Sequence, residues 1–176
     1  GSANTAYGWA SMQSNTSGVS NTAVGDTCLI ANTTGSNNVA VGRHALDANT
    51  TGGSNVAVGY LALSANTTAT GNVAMGQQAG QLVTTGVENA IFGHTAGQSL
   101  TTGGSHTFIG ERSGSAMTTN GQCTFVGSYA GAQASGGGNI CIGREAGTAG
   151  TPLTTGTSNI VIGNQTNVGA NARASS

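Results

Sequence analysis

One glycine recurs every 17 residues along most of this chain, and that spacing limits the possible folds more than any other feature. Its first seven steps are all 17 residues long, and the last two are 16 and 20. A period kept this strictly is typical of a solenoid, in which each repeat forms one rung and stacks on the next. The repeat glycines are Gly8, Gly25, Gly42, Gly59, Gly76, Gly93, Gly110, Gly127, Gly143 and Gly163.

The residues before each repeat glycine predict a short strand. A large apolar residue stands directly before the glycine, and asparagine stands four before it except at His106 and Cys123. This run is rich in β-branched residues and ends in glycine, which favours a strand followed by a corner. At about 3.3 Å per residue, a rung has room for about two short strands and two turns. We expect the asparagines to form a ladder of side-chain amides along the stack.

Both faces of this predicted strand are apolar. The residue one before the glycine and the residue two before it point to opposite faces, as Val41 and Ala40 do. A strand buried on both sides needs two partner surfaces, so one face should fill the solenoid and the other should meet neighbouring subunits. The sequence therefore predicts an all-β protein, a parallel β-solenoid of about ten 17-residue rungs that forms an obligate homo-oligomer.

A volume exchange between two repeat positions predicts a packing contact. Up to Leu63, the residue four after the glycine is large and the residue two before the next glycine is alanine; from Gly80 onward the sizes are reversed. Close packing requires such exchanges where two positions share a space, within one chain or across an interface. Duplication of two separate repeat blocks is the alternative. The subunit-packing candidates are Leu29, Leu46, Leu63, Ile91, Phe108 and Phe125.

The strings NTAVG, NNVAVG, SNVAVG, GNVAMG and SNIVIG resemble the head repeats of YadA-like trimeric autotransporter adhesins. Similar strings occur in phage tail fibres that end in a cleavable intramolecular chaperone. The resemblance extends from about Asn4 to Gly163, with rungs longer than those of adhesin heads. It implies a left-handed β-roll and an obligate homotrimer, within an extracellular fibre on a cell surface or virion tail that binds a host receptor.

Six of the nine charged side chains fall in the two places directly after a repeat glycine, whereas small residues dominate the rest of each rung. The same two places hold five aromatic or histidine side chains: Trp9, His44, Tyr60, His94 and Tyr129. On a rigid scaffold, such side chains can stack on sugar rings and bind their hydroxyls. The alternative is that they face a neighbouring chain and form inter-subunit ion pairs. The receptor-binding candidates are Trp9, Arg43, His44, Tyr60, His94, Glu111, Arg112, Tyr129, Arg144 and Glu145.

Charge and chemistry argue against several other functions. A net charge of −1 provides no field for nucleic acid or an anionic membrane. The histidines His44, His94 and His106 lie in different rungs, so the sequence predicts no catalytic site, no metal site and no cofactor. The three cysteines have no metal-type spacing, and we expect them to be buried free thiols.

Three non-enzymatic functions remain. The first is a fibre or adhesin head segment that binds a cell-surface glycan or protein receptor, and the second is a purely structural shaft. The third, ice binding, is suggested by stacked Thr-Thr pairs such as Thr33-Thr34. Residues 1–2 are interpreted as a cloning remnant, 3–163 as the solenoid and 164–176 as a C-terminal cap or tail; the insertion at 148–158 is expected to protrude.

Overall fold

The computed structural model describes residues 1–148 and 153–165, together with the backbone of a final strand. Ten short parallel strands form one sheet in sequence order, and the final strand pairs antiparallel with the tenth. The strands are β1 (Thr5–Tyr7), β2 (Thr22–Val24), β3 (Val39–Val41), β4 (Val56–Val58), β5 (Val73–Met75), β6 (Ala90–Phe92), β7 (Thr107–Ile109), β8 (Thr124–Val126), β9 (Ile140–Ile142), β10 (Asn159–Ile162) and β11 (Arg173–Ala174).

The parallel strands pair in register at equivalent repeat positions, as Ala40 of β3 does with Ala57 of β4. The prediction of an all-β parallel solenoid is thus confirmed, with about nine turns. Nothing in the described part of the chain forms a helix with the length and apolar character that a bilayer-spanning segment needs. Most of the predicted cap or tail, and residues 149–152 of the insertion, lie outside the described residues.

Among the described residues each rung contains one strand, although its length has room for two. The residues two and four after the repeat glycine have left-handed backbones, with φ of 58° at His44 and 52° at Leu46. Such angles are incompatible with an extended strand. The segment forms successive turns instead: the Ala45 N–H donates to the Gly42 carbonyl (3.2 Å), and the Leu46 N–H donates to Ala62 in the next rung (3.1 Å).

The predicted asparagine ladder is present, and it binds mainly to backbone. Asn38 Oδ1 accepts the Asn55 N–H (3.0 Å), and Asn38 Nδ2 donates to the Gly52 carbonyl (2.9 Å). The same two bonds recur from rung to rung, and amide-to-amide bonds such as Asn89 Nδ2 to Asn72 Oδ1 (3.0 Å) are additional. The buried amides of this ladder are therefore satisfied by neighbouring rungs.

His106 takes the place of an asparagine in this ladder. Its Nδ1 accepts the Cys123 N–H (3.3 Å), and its Nε2 donates to the Asn120 carbonyl (2.5 Å). These bonds fix the neutral tautomer with hydrogen on Nε2. Burial lowers the pKa of His106, and the bond to Asn120 opposes this in part. Protonation of His106 at Nδ1 would place an N–H there, directly opposite the N–H of Cys123.

A second buried asparagine column was not recognised in the sequence. Asn32 Nδ2 donates to Asn15 Oδ1 (2.9 Å), and Asn49 Nδ2 donates to Asn32 Oδ1 (2.8 Å). The column ends because Asn66 Nδ2 donates to the Ala69 carbonyl (3.4 Å) and not to Asn49 Oδ1, which has no partner in the described structure. Later rungs have apolar residues at this position: Val83, Leu100, Met117 and Ala134.

The predicted volume exchange is a contact within one chain. A Cβ on Gly80 would lie 3.0 Å from Ile91 Cδ1, and one on Gly97 would lie 3.0 Å from Phe108 Cδ2. From Gly114 onward the nearest large residue lies in the preceding strand and is not the predicted partner: a Cβ on Gly114 would lie 2.8 Å from the Phe108 ring, whereas the repeat pattern paired Gly114 with Phe125. Glycine at this position therefore makes room for the large residue, and it also suits a left-handed backbone of φ 54–75°.

The six subunit-packing candidates fill the interior of a single chain, which corrects their expected place between subunits. All six side chains have 0% exposure in the chain alone, so no neighbouring subunit can reach them: Leu29, Leu46, Leu63, Ile91, Phe108 and Phe125. The sequence could not distinguish the two faces because both are apolar. The Phe108 and Phe125 rings stack at 5.2 Å between centroids, next to the column of small residues.

The outer face of the sheet is largely apolar and partly open to solvent: its third-position column is apolar throughout, and its first-position column mixes threonine with apolar residues. It carries the first and third residue of each three-residue strand, such as Val39 and Val41 of β3. Met75 and Ile109 are both 41% exposed on this face, and Ile162 is 55% exposed. An apolar surface that follows the whole sheet is the feature of this chain that most resembles an interface.

All three cysteines are free and buried, as expected: Cys28, Cys123 and Cys141. Burial raises the pKa of Cys141 to about 12, with a smaller contribution from neighbouring Cys123. Burial also raises the pKa of Cys28 and Cys123. Thiols held in this protonated state are poor nucleophiles.

Replacing Gly114 by alanine tests the observed packing of this glycine against the Phe108 ring. The new Cβ would meet the Phe108 ring in a left-handed backbone, so the free energy of unfolding should fall by roughly 2–4 kcal/mol in chemical denaturation. Gly71→Ala is the control, because Gly71 has φ of 71° but its nearest neighbour would be 3.6 Å away. When Phe108 is also replaced by alanine, Gly114→Ala should lower the free energy of unfolding by no more than Gly71→Ala does. If Gly114→Ala lowers the free energy of unfolding equally in the unaltered chain and in the Phe108→Ala variant, Gly114 does not pack against the Phe108 ring.

The neutral state of His106 predicts a pH-dependent stability. Because its folded pKa lies below the ordinary value of 6.5, the unfolded chain takes up a proton first as the pH falls. The free energy of unfolding should therefore decrease between about pH 7 and pH 5. His106→Asn should remove this contribution to the pH dependence of the free energy of unfolding. The control His94→Asn, at an exposed histidine, should leave the pH dependence unchanged. An unchanged slope in His106→Asn would refute the assignment.

Candidate functional site

The residues one and two after each repeat glycine, here called the corner column, lie where the chain turns sharply after each strand. Gly59 has φ of 136°, and a Cβ on it would lie 2.4 Å from the Gly76 carbonyl oxygen of the next rung. Only glycine allows both this backbone angle and this close approach. Backbone bonds then hold neighbouring corners together, as between the His44 N–H and the Asp26 carbonyl (3.0 Å).

In the single chain, most of the charged and aromatic side chains of the corner column face solvent, whereas Thr27 and Thr95 are buried. Trp9 is 75% exposed and Tyr60 41%, and the side chains of Arg43 and Arg144 are 60% and 59% exposed. All ten receptor-binding candidates therefore lie at the surface, although His44, Tyr129 and Glu145 are half-buried. The structure groups only some of them into clusters.

The first cluster combines equivalent positions of three successive rungs. Arg43 Nε lies 3.2 Å from Asp26 Oδ2, and the Arg43 guanidinium carbon lies 6.0 Å from the centre of the Tyr60 ring. An exposed ion pair and an exposed cation–π contact of this kind each contribute up to about 1 kcal/mol. The cluster presents a cation and an aromatic ring side by side.

His44 lies beside this cluster and contacts two oxygens. Its Nδ1 is 2.9 Å from Thr27 Oγ1 and 3.1 Å from Asp47 Oδ2, and its ring is 6.5 Å from that of Tyr60. Burial raises the pKa of Asp47, and the nearby His44 lowers it by less. A hydroxyl–imidazole–carboxylate relay needs the two oxygens on different ring nitrogens. These three residues therefore have no geometry for activating the threonine hydroxyl.

The second cluster forms around Arg112 and Tyr129, at equivalent positions of adjacent rungs. The Arg112 guanidinium carbon lies 5.6 Å from the Tyr129 ring centre, and Nη1 lies 3.5 Å from the phenol oxygen. Beside them is an open depression of about 370 Å³. Its lining residues are Gln98, Ser99, Arg112, Ser115, Ala116, Tyr129, Ala132 and Gln133.

The glutamines of this depression were missed in the sequence. Gln98 and Gln133 stand five and six residues after their repeat glycines, outside the corner column. The sequence signal that could have indicated them is the presence of two amide side chains shortly after the corner column, on the turn that follows it. Only the stacking of rungs shows that this turn lies beside Arg112 and Tyr129.

The remaining candidates do not join either cluster. Arg144 and Glu145 form an ion pair within one chain (2.5 Å), whereas the alternative interpretation placed such pairs between subunits. Trp9, His94 and Glu111 are exposed at separate rungs. Across the described ranges 1–148 and 153–165, no three histidine, cysteine or carboxylate side chains converge as metal ligands.

The chain was compared with family models, with curated proteins and with solved structures. None of the three comparisons found a match. The basis for inferring a function is therefore the solenoid itself and the two corner clusters that it presents.

Proposed function

We propose that this chain is a non-enzymatic segment of an extracellular fibre, a left-handed β-roll that forms a homotrimer and binds a host-surface receptor, most simply a glycan. The fibre would belong to a cell surface or a virion tail. The observation that carries the proposal is the corner column, where aromatic and charged side chains are exposed on a rigid framework of small residues. Binding residues on a rigid scaffold lose little conformational freedom when a ligand binds.

A glycan suits the chemistry of both clusters. Tyrosine and tryptophan rings provide flat apolar surfaces for sugar rings, and arginine, histidine and glutamine provide donors and acceptors for hydroxyls. Tyr60 lies beside Arg43 and His44, and Tyr129 lies beside Arg112. Successive corners are about 4.8 Å apart along the stack, so one saccharide chain can contact several rungs.

The open outer face of the sheet supports self-association. Its third-position column is apolar from β2 to β10, so a partner must be long and have matching spacing. Copies of the same chain meet both conditions. Three solenoids packed by these faces would bury the apolar residues and leave the opposite side of each rung exposed.

A structural shaft is the second candidate, and the contacts within the corner column favour it. The Asp26–Arg43 pair joins adjacent rungs without any ligand, and so does the Arg112–Tyr129 contact. Side chains engaged in this way stabilise the stack even if they recognise nothing.

Ice binding has the least support. Thr33 Oγ1 donates to the Thr50 carbonyl (3.1 Å), and Thr50 Oγ1 donates to the Thr67 carbonyl (3.0 Å). The first threonine of each pair is thus engaged with the backbone, and the second, such as Thr34, is exposed. This arrangement is the one expected for adjacent threonines, of which one points away from the array, and a single exposed threonine column is a poor surface for ice.

Replacing Trp9, Tyr60 and Tyr129 by alanine separates recognition from a purely structural role. The variant should lose glycan-array binding at least tenfold, roughly the value of one or two aromatic stacking contacts, while its mass and melting temperature stay unchanged. Its control carries alanine at exposed apolar residues outside the corner column: Val19, Leu82 and Val87. A triple variant that dissociates into monomers, or that binds as well as the unaltered chain, would contradict the recognition role.

Charges on the outer sheet face test the trimer. Met75→Glu with Ile109→Glu would place carboxylates in the proposed interface, where burying them unpaired costs several kcal/mol. Sedimentation velocity should show the mass falling to one third, with the circular dichroism of the fold retained. Val87→Glu, an exposed site off this face, should keep the trimer mass. A monomeric unaltered chain, or an unchanged mass in the double variant, would refute the assignment.

A further inference from the structure

Arg112 differs from the other arginines whose side chains the structure describes. Arg43 pairs with Asp26 at 3.2 Å, and Arg144 pairs with Glu145 at 2.5 Å. Within the described residues, no carboxylate lies within 4 Å of the Arg112 guanidinium. Its charge is therefore available to an external anion.

The Arg112 guanidinium, which no carboxylate of the described residues neutralises, lies at the open depression. Nη1 is 3.5 Å from the Tyr129 phenol oxygen, and the guanidinium carbon is 5.6 Å from the ring centre, so the ring helps to position the cation. Gln98 and Gln133 contribute amides, and the other lining residues are serine and alanine. Small residues between larger ones leave room for a ligand ring. The volume of about 370 Å³ is at the small end of ligand pockets.

We infer that this depression binds an acidic saccharide, a sugar ring that carries a carboxylate. The guanidinium of Arg112 pairs with the carboxylate, with two parallel N–H···O bonds available to it. The Tyr129 ring packs against the apolar side of the sugar, and the amides of Gln98 and Gln133 bind its hydroxyls. The inference rests on the proposed glycan-binding function and specifies the ligand class for one site.

The local charge favours a carboxylate over phosphate or sulfate. Arg112 is a single cation, and the exposed Glu111 directly precedes it, so the corner has almost no net charge. A phosphate dianion or a densely sulfated polymer is best held by several cations. A monovalent carboxylate needs only one guanidinium.

The test compares methyl glucuronide with methyl glucoside, which share the ring and differ in the carboxylate, by NMR titration of the full chain. The glucuronide should bind at least about tenfold more tightly, as expected for a charge-assisted hydrogen-bonded pair. Arg112→Gln should abolish this preference and retain glucoside binding, whereas Tyr129→Ala should weaken both. Glu88→Gln, an exposed charge change outside the corner column, should alter neither.

Each other outcome is informative. Equal affinities that Tyr129→Ala abolishes would overturn the acidic class and leave the proposed glycan binding intact. Tighter binding of glucose 6-phosphate than of the glucuronide would overturn the carboxylate assignment. Binding of neither sugar, in a chain that still binds glycans on an array, would remove this site alone; a silent array as well would remove the proposed function too.

Discussion

The hydrogen bonds between equivalent positions of successive rungs determine the geometry of this protein. Asn38 shows the principle, since its one side-chain amide satisfies a backbone N–H and a carbonyl of the next rung. The bonds form only when successive rungs are in register, so the ladder fixes strand pairing and turn stacking together. Close contact at the repeat glycines adds a second constraint, because any side chain there would meet the carbonyl of the next rung.

The interior of the solenoid is packed in one way in the early rungs and in another way in the later rungs. In the early rungs, leucines such as Leu46 and asparagines such as Asn49 fill the space beside alanines. In the later rungs, Phe108 and Phe125 occupy the same space, and glycine stands where leucine stood. The exterior follows separate rules, since corner residues can change without disturbing the core. A rigid stack with a freely variable corner is well suited to recognition.

The sequence predicted those features that depend on periodicity. The strand, the corner glycine, the asparagine ladder and the exchange at Gly97 and Phe108 all follow from columns visible in the repeat. The sequence could not predict the single strand per rung, because the left-handed backbone falls on residues such as Leu46 and Leu63, whose type rarely adopts that conformation. Nor could it place Leu46 inside one chain, since both strand faces are equally apolar. The depression beside Arg112 depends on lateral contacts between rungs, which periodicity does not encode.

A glycan-array screen of the unaltered chain tests the central claim most directly, because it asks whether this solenoid recognises anything on its own. Recognition by the corner column predicts selective binding to a small set of glycans, with carboxylate-bearing sugars prominent among those bound. Binding to no glycan on the array, by a chain that is folded and fully assembled, would contradict the claim and leave this solenoid as a shaft.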